Sequence, residues 1–219
     1  MKIHAIIPLR KNSSRIKRKN FINIGKKQLF EHTLDEACKS KLIKEIILAT
    51  DEKEIKIKKN KKIKIFHRSK KSATGSAATE IVVNEVLKKN DCDLVVLIQA
   101  TNLFLKSHHL DEAINKIISQ KIYCCLLSVV SSKFFIWQNK NNKNEIFSKN
   151  YNYKKRPRSQ DIRNKEYIEN GSFYIFYKKN FLKYKNRLHG KITFYKMPKI
   201  SLIEIDDNED LKLVKKLKN

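Results

Sequence analysis

Apolar runs alternate along this chain with segments whose apolar residues fall three or four apart, and that alternation predicts the fold class. Strand-like runs fall at Ile3 to Pro8, Glu45 to Ala49, Ile63 to Phe66 and Leu94 to Ile98. Four more fall at Tyr123 to Val130, Ser172 to Tyr177, Lys191 to Tyr195 and Ser201 to Ile205. Helical spacing appears in Leu29 to Ser40, Glu52 to Lys59, Ser76 to Lys89 and Leu110 to Ser119, and Leu211, Val214 and Leu217 mark a last helix. Strand and helix in turn predict an α/β fold, a mainly parallel Rossmann-like sheet with helices on both faces. Such sheets bind ligands beyond the carboxyl ends of their strands. Arg10, Asp51, Arg68 and Gln99 each follow a predicted strand, so they should line one edge.

Between Lys133 and Lys165 the pattern dissolves into Asn, Lys, Ser and aromatic residues without a steady period. A stretch of that length inside a compact domain reads as a functional excursion, a dimer arm or disorder. The 219 residues suit one domain spanning 1–219, with the excursion at about 133–165. No apolar run approaches the roughly 18 residues of a membrane span, and the amino end carries no signal-peptide pattern. A cytoplasmic protein without a membrane partner is the expectation. Cys38, Cys92, Cys124 and Cys125 form no Cys-x-x-Cys pair, which fits buried thiols in a reducing compartment.

Charge changes this picture less than its size suggests. The formal charge of +27 arises from 49 Lys and Arg against 22 Asp and Glu, a balance that by itself suggests nucleic acid. The lysines, however, are spread over every apparent surface rather than gathered in a stripe, as compositional drift at solvated positions would leave them. No aromatic-interleaved basic surface, RNP-type motif or helix-turn-helix accompanies them. The arginines are more telling. Arg10, Arg15, Arg18, Arg68, Arg156, Arg158 and Arg163 fall in three short segments, with Arg187 elsewhere. A guanidinium offers phosphate or carboxylate a planar fork that Lys cannot copy, so those segments are candidate anion sites.

The first of them, from Arg10 to Asn20, places six cationic side chains within ten positions after the first strand. A loop at a strand end with several cations and backbone donors is suited to a nucleoside triphosphate, which carries about four negative charges. It has no Gly-Lys-Ser/Thr ending and is not a Walker loop. As a bare basic loop it is equally readable as solvated charge. With its flanks, Ile7-Pro8-Leu9-Arg10-x-x-Ser13-x-Arg15-Ile16-x-x-Lys19-Asn20 resembles the opening of the acylneuraminate cytidylyltransferases, the CMP-sialic acid synthetases. The resemblance continues through Ala49-Thr50-Asp51-Glu52, His67-Arg68-Ser69 and Leu97-Ile98-Gln99-Ala100-Thr101. It extends through Pro157-Arg158-Ser159-Gln160-Asp161, Tyr167-Ile168-Glu169-Asn170-Gly171 and the Ile203-Glu204-Ile205-Asp206 block.

That resemblance implies a nucleotidyltransferase that moves CMP from CTP onto a nonulosonic, sialic-type acid and releases pyrophosphate. It implies a nucleotide site of Arg10, Ser13, Arg15, Lys19, Asn20, Arg68 and Thr79. Arg10, Lys19 and Asp206 would then be the catalytic residues. Gln99, Arg158, Gln160, Asp161, Asn170 and Tyr174 would hold the sugar, with the Arg158 segment reaching across a homodimer. Asp206, with Glu204, would hold Mg2+. Spacing supports the metal pair separately, because residues two apart on a strand share a face and hard oxygen ligands suit Mg2+. Asp206 or Asp207 is also expected to cap the final helix. His108-His109 lacks carboxylate or cysteine neighbours at ligand spacing and reads as a helix start.

The chain departs from the family pattern at several points. Ser14 stands where a lysine is common, Lys11 and Asn12 replace a glycine pair, Gly75 replaces an aspartate and Leu103-Phe104-Leu105 replaces Pro-Leu-Arg. No aromatic pair flanks Arg187-Leu188, which leaves N-acetylneuraminic, legionaminic and pseudaminic acids all open as substrates. The 3-deoxy-manno-octulosonate cytidylyltransferases are the alternative within the reaction class. A basic nucleic-acid-binding or inactive scaffold protein is the alternative outside it.

Overall fold

A computed structural model describes residues 1–13, 15–140, 145–161 and 166–218, so Ser14 and Arg163 lie outside the described residues. The chain opens with strand β1 (Ile3–Leu9), a ribbon of β2 (Asn23–Ile24) and β3 (Lys27–Gln28), and helix α1 (Leu29–Lys39). Strands β4 (Glu45–Thr50) and β5 (Ile63–His67) follow, then helices α2 (Lys70–Ala73) and α3 (Thr79–Lys89). Next come β6 (Leu94–Ile98), α4 (Ser107–Ser119) and β7 (Cys125–Ser132). A hairpin of β8 (Trp137–Asn139) and β9 (Ile146–Ser148) precedes β10 (Glu166–Tyr177), α5 (Lys178–Tyr184), β11 (Ile192–Lys196) and α6 (Asn208–Lys218).

Seven strands form one sheet in the order β11-β7-β10-β6-β1-β4-β5. Strand β1 runs parallel to β4 and β6, β4 to β5 and β11 to β7, while β10 lies antiparallel to both β6 and β7. Only β10 therefore points the other way, and the sheet is the mainly parallel one that the alternating pattern predicts. Its central strands bury both faces. Ile3, Ala5, Ile7 and Leu9 of β1 join a core with Leu34 of α1 and Leu110, Ile114 and Ile117 of α4. Ile6 points the opposite way, into a core with Val82, Val83 and Val86 of α3 and Phe181 of α5. This is why β1, β4 and β6 read as near-continuous apolar runs rather than as alternating ones.

A third cluster of Ile16, Ile24, Leu29, Leu103, Ile205 and Val214 lies outside these layers. It ties the loop after β1 to the segment before α6. Ile16, amid the cations, is 6% exposed; burying such a side chain contributes about 1.5–3 kcal/mol, enough to seat a loop that charge alone would leave in water.

Two predicted elements are absent. Residues 52–60 form no helix, because Ile55 and Ile57, two apart, both pack on the first core, and a period of two turns the chain toward extended backbone. The strand expected at Ser201 to Ile205 is instead a short 3-10 helix, Lys199–Leu202, followed by unpaired chain. Pro198 ends the β11 segment and its carbonyl accepts from Ser201 N and Oγ, at 3.0 and 2.6 Å. Helix α3 starts three residues later than its pattern suggests, whereas β10 starts six residues earlier. The register of β10 on β7 shifts between Glu169 and Tyr174, and this irregularity carries Asn170 and Gly171. Among the described residues no helix is long and apolar enough to cross a membrane.

Candidate active site

A cleft of about 390 Å³ opens beyond the carboxyl ends of β1 and β6. The loop after β1 supplies Arg10, Ser13, Arg15, Lys19 and Asn20 to its wall. Arg68 enters from the end of β5, Thr79 from the first turn of α3, and Gln99 and Thr101 from the end of β6. Gly171 and Tyr174 come from β10, and Glu204 and Asp206 from the unpaired segment before α6. Eleven of the residues singled out in the sequence therefore meet at one place, although the chain separates the first from the last by almost its whole length.

The cations are held in distinct ways. Arg10 donates through one terminal nitrogen to the Thr74 and Gly75 carbonyls, at 3.0 and 2.7 Å, and so keeps its charge unneutralised in the cleft. Asn20 anchors the same turn by donating from Nδ2 to the Arg10 carbonyl at 3.2 Å. Lys19 Nζ donates to the Ile205 carbonyl at 2.6 Å and lies 3.2 Å from Asp206 Oδ1, which also faces Arg15 at 3.2 Å. Arg68 is buried, and it donates to the Ser72 carbonyl. Burial, reinforced by Arg10, pulls its guanidinium below the ordinary value despite the opposing field of Asp51. Four cations against two carboxylates leave the cleft with excess positive charge, a condition that an anionic ligand relieves.

Helix α3 adds backbone donors. Its N-cap, Ala78, has no side chain to accept from the first-turn N–H groups, and those groups favour an anion.

Glu204 and Asp206 face the cleft across Ile205, which is fully buried. No strand ladder holds them, and both nonetheless line the same cleft. Burial and the charge of Asp206 push the Glu204 carboxyl up from its ordinary value. Asp207 caps α6, accepting from the Glu209 and Asp210 backbones at 2.8 and 3.0 Å. Asp210 returns the bond to Asp207 N at 3.1 Å, and Asp206 is left for the cleft. Two carboxylates in a polar cleft fit Mg2+, which takes one or two from protein and completes its shell with waters and phosphate oxygens. No cluster of three or more His, Cys, Asp or Glu of metal-holding geometry occurs among the described residues.

Gly171 had no forecast role. Its φ is +60°, and a Cβ there would lie 2.6 Å from Glu204 Oε1. The left-handed backbone favours glycine there, and any side chain would also displace the Glu204 carboxylate beside it. Arg187, the isolated arginine of the sequence, donates from Nε to Glu80 Oε1 at 2.6 Å and stacks 4.8 Å from the Tyr174 ring centroid. The Tyr174 hydroxyl donates to Glu169, and burial together with that bond pushes the phenol up. A positive φ leaves a trace in sequence, as Asn-Gly. The Glu80–Arg187 pair spans 107 positions and leaves none.

Four singled-out residues do not line the cleft. Asn170 is buried and donates to Ser201 Oγ at 2.8 Å, bracing β10 against the 3-10 helix. Arg158, Gln160 and Asp161 are exposed beyond the β8–β9 hairpin, where Arg158 Nε donates to Asp161 at 2.7 Å. The hairpin exposes Trp137, Ile146 and Phe147. His109 lies in the first turn of α4 and accepts from Lys106 N at 3.2 Å through Nδ1. Burial and then His108 lower its pKa to about 4, so the neutral ring serves the helix start.

The chain has known relatives. A family model described as Cytidylyltransferase matches residues 4–219. The chain is 32% identical over 210 residues to an N-acylneuraminate cytidylyltransferase B of Danio rerio, covering 94% of this chain and 49% of that protein. It is 28% identical over 227 residues to a pseudaminic acid cytidylyltransferase of Campylobacter jejuni, covering 98% and 95%. The chain spans about half the length of several curated relatives it matches. Among solved structures, a CMP:2-keto-3-deoxy-manno-octonic acid synthetase complexed with CTP superposes with a TM-score of 0.68 at 13% identity. That likeness covers 99% of this chain and 98% of the other, and concerns the fold.

Proposed function

The chain belongs to the cytidylyltransferase family, and from that premise we propose that it transfers CMP from CTP to a nonulosonic acid in the cytoplasm. The observation that carries the reading is the convergence of Arg10, Arg15, Lys19 and Arg68 with Glu204 and Asp206 on one cleft. Its net charge of +2 would become +4 with one Mg2+, which matches the roughly four negative charges of a nucleoside triphosphate.

In this reading the triphosphate lies along the loop after β1. Phosphate oxygens draw Arg15 and Lys19 away from Asp206, and Arg10 stays oriented by its two carbonyl partners. Glu204 and Asp206 would hold Mg2+, which when bound spreads the negative charge of the phosphate oxygens. The sugar enters beside Gln99 and Tyr174, and its anomeric hydroxyl oxygen bonds to the α-phosphorus in line as the bond to the β-phosphate oxygen breaks. Pyrophosphate leaves carrying that electron pair, Arg10 and Lys19 stabilise it, and the hydroxyl proton passes to solvent. Catalysis is then positioning and electrostatics.

The exposed apolar hairpin and the Arg158-Gln160-Asp161 segment support a homodimer in which the arm reaches the partner's sugar. The test is the CTP-dependent formation of a CMP-sugar and pyrophosphate, with N-acetylneuraminic, legionaminic, pseudaminic and 3-deoxy-manno-octulosonic acids offered separately. Product with one of the first three is expected. Product with 3-deoxy-manno-octulosonic acid alone would move the chain to the alternative substrate. Salt-sensitive DNA retention without CTP binding would overturn the reading.

A further inference from the structure

We propose that Asp51 and Glu52 are positioning residues, a clamp that shapes the cationic loop to receive the triphosphate; the inference rests on the nucleotide reading above. Six cations between Arg10 and Lys19 repel one another, and nothing in their sequence says which of them face the ligand. The clamp sorts them. Glu52, whose side chain is 10% exposed, takes Lys11 Nζ at 3.1 Å and Arg18 at 2.8 Å. Asp51 Oδ1 accepts from the Lys11 backbone at 2.7 Å. Lys11 is thus held by backbone and side chain together, and the two ends of the loop are drawn to one carboxylate. Ser13 and Arg15 lie between the tethered positions, while Arg10 and Lys19 flank them, and all four line the cleft.

The clamp is rooted in the sheet. Thr50, fully buried at the end of β4, accepts from Glu52 N through Oγ1 at 3.0 Å, and its carbonyl accepts from Arg68 N at 3.0 Å. Arg18 occupies the left-handed region, at φ 53°, and stacks 5.1 Å from the Phe21 ring centroid. A non-glycine residue in that conformation is held by its surroundings, and the Arg18 side chain meets the Glu52 carboxylate and the Phe21 ring. Burial opposes the charged form of Glu52, yet the Lys11 and Arg18 contacts outweigh it and hold the carboxyl below its ordinary value.

Field and geometry make opposite forecasts for Glu52→Gln. If Glu52 acted only as a negative charge near the phosphates, removing it would tighten CTP binding. A clamp requires the reverse, because the loop loses its shape. The experiment titrates CTP calorimetrically into full-length wild type and Glu52→Gln, measures kcat and KM for CTP, and times tryptic cleavage after Arg15 and Arg18 without nucleotide. The variant should bind CTP about tenfold more weakly, raise KM for CTP by a similar factor with kcat nearly unchanged, and be cut several-fold faster in this loop alone. Glu52→Asp should recover part of the loss. Equal or tighter CTP binding, or unchanged loop cleavage, in a variant of wild-type melting temperature would overturn the proposal. The tryptic comparison needs neither CTP nor turnover, so it reports on the clamp even if the nucleotide reading fails. Should Glu52→Gln not fold, Lys11→Met removes one arm; faster cleavage after Arg18 is then expected, and an unchanged rate would overturn the clamp.

Discussion

The cleft and the arm are built on different terms. Around the cleft, charged groups are tied to backbone carbonyls, to one another and to strand ends: Arg10 to Thr74 and Gly75, Lys19 to Ile205 and Asp206. On the arm, Arg158 pairs with Asp161 three residues along, and Trp137 and Ile146 are 42% and 62% exposed. Buried Ile16 and Ile205 seat the two segments that carry Arg15, Lys19, Glu204 and Asp206, so much of the cleft's geometry is set by the fold itself. The arm presents rings and cations to water, and its apolar surface calls for a covering. The cleft is held by bonds to the main fold, whereas the arm is held by local contacts, Trp137 on Tyr151 and Tyr153 and Arg156 over Phe135.

That contrast can be broken at several points. Asp206→Ala should have the largest effect, lowering turnover by about a thousandfold in a protein of unchanged circular dichroism; near-wild-type rate with Mg2+ would remove Asp206 from the mechanism. Arg10→Ala should weaken CTP binding by about 10- to 100-fold while sugar binding changes little, read in separate titrations. Arg158→Ala should leave CTP binding intact and raise the KM of the sugar. Mixed with Asp206→Ala protein after a denaturation and refolding cycle, it should regain activity if the arm serves the partner's cleft. Gly171→Ala meets both a left-handed backbone and Glu204, so a loss of about 1–3 kcal/mol in stability is expected by chemical denaturation.

The last effect is one of pH and falls on stability alone. His109 has its folded pKa lowered from 6.5 to about 4, so the unfolded chain binds the proton first. Its contribution is full above pH 6.5 and is lost as pH falls toward 4, with a slope of up to about 1.4 kcal/mol per pH unit. His109→Asn should flatten that part of the stability profile; an unchanged slope would mean that the ring is not held neutral.

The parts of the fold that were legible in the sequence are those where local pattern and tertiary burial agree. Leu94 to Ile98 is a strand at its predicted bounds because Val and Leu fill both faces of the sheet there. Glu52 to Lys59 misled because its only apolar residues, Ile55 and Ile57, stand two apart, which suits extended backbone rather than a helix face, and their packing decided it. In the cleft, the arginines and carboxylates announced themselves by residue type and neighbourhood. The Glu80–Arg187 bracket and the Lys11–Glu52–Arg18 clamp depend on which side chains meet across the chain, which residue type alone does not specify. Gly171 sits between, since its Asn-Gly context marks a turn but not the Glu204 carboxylate against it.

The most direct test of the central claim is a crystal structure of the protein with CTP and Mn2+ in place of Mg2+. Anomalous density for the ion is expected against Glu204 and Asp206, with triphosphate oxygens within hydrogen-bonding distance of Arg10 and Lys19. A triphosphate bound elsewhere, or an ion held away from both carboxylates, would contradict it.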